Sequence, residues 1–96
     1  MLFRSLPPNP IPPGVTPEDM KKWNKVATCE TGGRWYSRGP IYSGGLGIRN
    51  DVWIHYGGGQ FGPTAGYATP HQQVYIAKKI NSNGYVPDQY GCEGAW

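Results

Sequence analysis

The chain has 96 residues and a net charge of +3, from nine Lys and Arg against six Asp and Glu, with a pI near 9.0. That length holds one domain with a modest core. The basic excess is too thin and scattered for a nucleic-acid-binding arm, although it is compatible with mild attraction to a polyanionic surface such as a bacterial wall.

Met1-Leu2-Phe3-Arg4-Ser5-Leu6 is too short to be the apolar centre of a signal peptide, and no stretch reaches the ~20 apolar residues of a membrane span. The expectation is a monomeric module of a larger protein, with no membrane insertion. Pro7-Pro8-Asn9-Pro10-Ile11-Pro12-Pro13 packs five prolines into seven residues, an extended and semi-rigid spacer. Residues 1–15 therefore read as a linker and 16–96 as the domain.

Thr16-Pro17-Glu18-Asp19 opens the first helix, with Thr as cap, Pro at the first helical position and two acids at the positive end of the dipole. Met20, Trp23, Val26, Ala27 and Glu30 recur at three- and four-residue steps and form one inward stripe. Gly32-Gly33 ends the helix. Residues 35–47 read as loop or short hairpin around Tyr42-Ser43-Gly44-Gly45-Leu46-Gly47-Ile48. A short helix starts at Arg49 or Asn50, turns Val52, Trp53 and Tyr56 inward, and stops at Gly57-Gly58-Gly59. Residues 60–68 form a glycine-rich loop. Thr69-Pro70-His71-Gln72 is a capping-box start for the last helix, which runs through Val74, Ala77 and Ile80 to Asn83-Gly84. The tail, 85–96, is irregular. Few residues favour extended sheet, so the fold class is mainly α, with at most a small hairpin.

Two cysteines, Cys29 and Cys92, nearly span the folded part. They are either a disulfide closing a long loop in an oxidising compartment or two buried thiols. Neither His55 nor His71 pairs with a cysteine at ligand spacing, so no metal and no cofactor is expected. Four Trp and seven Tyr suit either stacking on sugar rings or compact core filling.

Glu30 is the carboxylate that falls on an apolar face. A carboxyl held against apolar neighbours resists ionisation and can donate a proton near neutral pH, the behaviour of a general acid. The paired-carboxylate plan of ordinary glycosidases finds no good second member: Glu18 and Asp19 lie at the far end of the helix, Asp88 and Glu93 in the tail, and Asp51 is accounted for at a helix start. Ser43 lacks an evident His–Asp partner. What remains is a mechanism with one carboxylate, in which the substrate supplies its own nucleophile.

The run Trp23-Asn24-Lys25-Val26-Ala27-Thr28-Cys29-Glu30-Thr31-Gly32-Gly33-Arg34-Trp35 resembles the opening of the resuscitation-promoting-factor domain, an actinobacterial branch of the lysozyme-like superfamily. The likeness continues through Tyr42 to Ile48, Trp53, Ala68-Thr69-Pro70-His71-Gln72-Gln73 and Cys92. It implies a small lysozyme-like fold that cleaves the MurNAc-β-1,4-GlcNAc bond of peptidoglycan, with Glu30 as catalytic acid and a Cys29–Cys92 disulfide beside it. Lytic transglycosylases of this kind release 1,6-anhydro-MurNAc ends, the sugar's C6 hydroxyl being the nucleophile. Tyr42 matches a groove tyrosine of the family. Trp35 and Trp53 are either stacking platforms for substrate or core residues, and Gln73 either faces the groove or supports the last helix.

Two positions depart from the family pattern: Gly47 stands where many members carry Gln, and Val52 where many carry Thr. Both groups would line the groove. A competing expectation is therefore a wall-binding module with little turnover. The implied setting is extracellular, at the cell wall, through secretion or as part of a phage lysin or virion (tape-measure) protein.

Overall fold

A computed structural model describes residues 12–84 together with Cys92 and Trp96. Most of the proline-rich spacer, and the tail apart from those two residues, lie outside the described part. Helix α1, Pro17–Thr31, begins as its local chemistry dictates. The Thr16 hydroxyl accepts from the Asp19 N–H at 3.0 Å, and the Asp19 carboxylate accepts from the Thr16 N–H at 2.9 Å. Trp23, Val26 and Ala27 are buried, Met20 packs against the core, and Glu30 is half-buried one turn further on. The helix stops where Gly32 turns left-handed at φ 71° and donates to Thr28, while Gly33 donates to Ala27, both at 3.0 Å.

The expected hairpin forms from β1, Tyr42–Ser43, antiparallel to β2, Ile48–Arg49, with Tyr42 opposite Arg49 and Ser43 opposite Ile48. Its four-residue turn, 44–47, starts and ends on left-handed glycines. Gly44 has a second reason to be glycine: a Cβ there would lie 2.7 Å from the Ala65 Cβ. Helix α2, Asn50–His55, follows at once, and the Arg49 guanidinium grips Asp51 at 2.9 and 2.6 Å. The loop expected over 60–68 is more ordered than its glycine content implies. Short 3-10 turns occupy Gly58–Gln60 and Ala65–Tyr67, the first beginning inside the glycine run expected to end α2.

Helix α3, Pro70–Ser82, repeats the capping logic of α1. Thr69 accepts from the Gln72 N–H at 3.2 Å, and the Gln72 side chain accepts from the Thr69 N–H at 3.0 Å. Val74, Ile76, Ala77 and Ile80 of α3 meet Trp23, Val26 and Ala27 of α1, Leu46 and Ile48 of the hairpin, and Trp53 of α2 in one core. The architecture is mainly α with a two-stranded hairpin, closed by a Cys29–Cys92 disulfide across 63 residues. Replacing both cysteines with serine is expected to lower stability by about 2–4 kcal/mol through the freed unfolded chain. Thermal unfolding with and without reductant measures this, and coincident curves would contradict it.

Lys78 of α3 reaches back to α1, donating to Asp19 at 2.6 Å and to the Gly14 carbonyl at 2.7 Å. The Lys78 hydrogen bond, helped by the Thr16 N–H, holds the Asp19 carboxyl below its ordinary 3.8. Because the folded-state value is the lower one, this pair stabilises the fold above pH 3.8, and the contribution disappears as pH falls through the folded-state value. Asp19→Asn should therefore flatten the acid end of the melting-temperature profile while leaving its slope at neutral pH unchanged.

Candidate active site

The last turn of α1 and the hairpin turn meet around Glu30. The Thr31 hydroxyl, within reach of both the Gly45 carbonyl (2.8 Å) and the Ala27 carbonyl (3.2 Å), accepts from the Arg34 N–H at 3.0 Å. It thus ties the helix end to the hairpin turn and to the loop leaving the helix at Arg34. Gly47 comes directly over the acid: a Cβ at that position, where φ is +64°, would lie 3.6 Å from Glu30 Oε1. The bare backbone there leaves the carboxylate flanked by main chain rather than by a side chain. On its other side the Trp96 indole N–H donates to Glu30 Oε2 at 3.1 Å. Cys29, immediately before Glu30, carries the disulfide.

The remaining described carboxylates are placed for other tasks. Asp19 pairs with Lys78 and Asp51 with Arg49 on the surface, and Glu18 lies in the exposed first turn of α1. Among the described residues no group of three or more His, Cys, Asp or Glu could hold a metal ion, and no helix is long and apolar enough to cross a membrane.

The aromatic and amide residues divide. Tyr42 is 45% exposed on the hairpin and open to a ligand. Trp35 is half-buried, its ring lying so close to Gly45 that a Cβ there would meet it at 2.7 Å. It therefore backs the hairpin turn, and any substrate contact uses the remaining open part of its ring. Of its two readings Trp53 takes the core one: it is fully buried, its indole N–H donates to the Gly62 carbonyl at 2.9 Å, and Phe61 packs against it. Gln73 takes the supporting place among its two readings. It is also fully buried, accepting from the Gly45 N–H at 2.9 Å and donating to the Trp35 and Ala68 carbonyls at 2.8 and 2.9 Å. All of its hydrogen bonding goes to backbone, which makes it the bracket joining α3 to the hairpin turn. Val52 is half-buried against the core.

Two residues at the site had no sequence signal of their own. Thr31 is hidden in a helix end, where its hydroxyl could serve any turn. Trp96 reaches Glu30 across 66 positions, a separation no local pattern reports.

A small helical domain with a disulfide beside a half-buried glutamate, at the junction of its first helix and a glycine hairpin, defines a lysozyme-like class of domain. The sequence agrees: residues 17–87 match the transglycosylase-like domain family, and the chain belongs to it. Among its relatives, resuscitation-promoting factor Rpf2 of Corynebacterium glutamicum is 41% identical over 61 residues, covering 62% of this chain and 16% of that protein. Resuscitation-promoting factor RpfA of Mycobacterium tuberculosis is 38% identical over 60 residues, 62% of this chain and 15% of that protein. Rpf1 of C. glutamicum is 40% identical over 58 residues, or 30% of its length. The chain thus spans a minor part of each of these relatives.

Proposed function

We propose that residues 16–96 form a peptidoglycan-cleaving module, tethered by residues 1–15, that breaks the MurNAc-β-1,4-GlcNAc bond as a lytic transglycosylase with Glu30 as its single catalytic carboxylate. The observation that carries this reading is the placement of Glu30: half-buried on the core face of α1, against the bare backbone of Gly47, while Asp19 and Asp51 are engaged by Lys78 and Arg49. Protonated Glu30 gives its proton to the glycosidic oxygen, and the C1–O bond breaks with the electron pair leaving on that oxygen. The MurNAc C6 hydroxyl then bonds to C1 and returns its proton to the Glu30 carboxylate, which closes the cycle with a 1,6-anhydro product. No second carboxylate is needed to activate water, consistent with the described carboxylates. Tyr42, exposed on the hairpin, and the open part of Trp35 are the groups placed to contact the glycan.

The disulfide fits work outside the cytoplasm, at the wall, whether the parent protein is secreted by a bacterium or carried by a phage. Digestion of purified peptidoglycan followed by mass spectrometry tests the reaction. Anhydro-muropeptides are the expected products. Reducing-end MurNAc would replace transglycosylation with hydrolysis, and wall binding without soluble products would reduce the domain to a binding module, the alternative that the departures from the family pattern at positions 47 and 52 motivate.

A further inference from the structure

We propose that Trp96 is a positioning residue for Glu30: its indole N–H holds the carboxylate in one orientation and biases it toward the ionised form. This rests on the reading of Glu30 as the acid and assigns its immediate partner.

Three residues of α1 grip the same tryptophan. Glu30 Oε2 accepts from the indole at 3.1 Å. The Trp23 ring meets the Trp96 ring edge-on, with centroids 4.9 Å apart and planes at 89°. The Lys22 ammonium, 4.8 Å above the Trp23 ring, donates to the Trp96 backbone carbonyl at 3.2 Å. Trp23 and Glu30 are seven residues apart, two turns of helix on one face, so an indole lying along that face spans both. Trp23 is buried and its ring cannot swing. The angle at which Trp96 presents its N–H is therefore set by the core, and Cys92, four residues before it, is bonded to Cys29 beside the acid.

An indole is a donor only and cannot adapt to a protonated oxygen that has become a donor itself. A hydrogen bond to the charged form of an acid favours that form. Stabilising the carboxylate makes Glu30 a stronger acid and its conjugate a weaker base. Trp96 thus assists the half-reaction in which protonated Glu30 gives up its proton, opposes the one in which the carboxylate receives the proton of the C6 hydroxyl, and reduces the fraction that is protonated at a given pH. By favouring the ionised form, the contact lowers the pH above which the acid is lost.

Trp96→Phe keeps a ring against Trp23 and removes only the donor. In the full 96-residue chain, carbon-13 NMR titration of the Glu30 carboxyl should show its midpoint moving up by about one pH unit. The alkaline limb of the pH–rate profile on purified peptidoglycan should move up by the same amount, with thermal unfolding little changed. In the unsubstituted chain, the Trp96 indole N–H resonance should titrate together with that carboxyl, a measurement that needs no variant to fold. An unmoved Glu30 midpoint, a midpoint that moves while the rate profile does not, or an indole signal indifferent to Glu30 ionisation would each overturn the proposal. The titration reads the resting protein, so turnover surviving in Glu30→Gln would sink the catalytic reading while the indole contact stood confirmed.

Discussion

Glu30→Gln is expected to reduce peptidoglycan cleavage by about 10²–10⁴-fold, the usual contribution of a positioned general acid. The substitution is close to isosteric, and a glutamine at 30 can still accept from the Trp96 indole through its amide oxygen. The fold should therefore persist, with near-unchanged circular dichroism and melting temperature. What disappears is the exchangeable proton: an amide can neither protonate the leaving oxygen nor take the proton of the incoming hydroxyl, so both halves of the cycle fail together. Wall binding should survive, because Tyr42 and the hairpin are untouched. A variant that binds wall, melts normally and releases no muropeptides is the expected result; one that releases the same products at the parental rate would remove Glu30 from the mechanism.

Gln73→Ala is expected to act on stability first. It strips partners from the Gly45 N–H and from the Trp35 and Ala68 carbonyls, all held at 2.8–2.9 Å. A buried polar group left unpaired costs about 1–3 kcal/mol, so the combined loss is roughly 3–5 kcal/mol even if one carbonyl finds water. In a domain of this size that lowers the melting temperature by well over about 10 °C. Activity should fall as well, because Gly45 also receives the Thr31 hydroxyl and its movement loosens the backbone around Glu30. A side chain that merely touched substrate would give a different signature: an unchanged melting curve and a raised KM. That pattern would place Gln73 in the groove.

The two long helices were legible because their signals are local. Thr-Pro caps, an acid or amide three residues after the cap, and a stripe at three- and four-residue steps all operate within a few ångströms of the chain they organise. Glu30 was found by the same stripe. Trp53 and Gln73 were harder, because an aromatic or an amide on an inward face is equally suited to packing and to binding. For Trp53 the deciding partner is the Gly62 carbonyl nine residues on, and for Gln73 it is backbone 28 and 38 residues away. The 3-10 turns at Gly58–Gln60 and Ala65–Tyr67 are too short to show a period, and glycine there reads as loop. In fact Gly58 is bare because the Trp53 ring lies against it. The family resemblance named the glutamate and the disulfide together, while Trp96 lay beyond the residues that carried the likeness.

The bond between Cys29 and Cys92 spans 63 positions and the contact between Glu30 and Trp96 spans 66, which gives this domain an order of assembly. Synthesis proceeds from the amino end, so α1, the hairpin and α3 are all available before the tail leaves the ribosome. The core can close around Glu30 before Trp96 has been made. Contacts at such separations close long loops, which cost more entropy than local ones. The indole reaches the Glu30 carboxylate only once residue 96 has been made, and the bond between Cys29 and Cys92 also needs an oxidant.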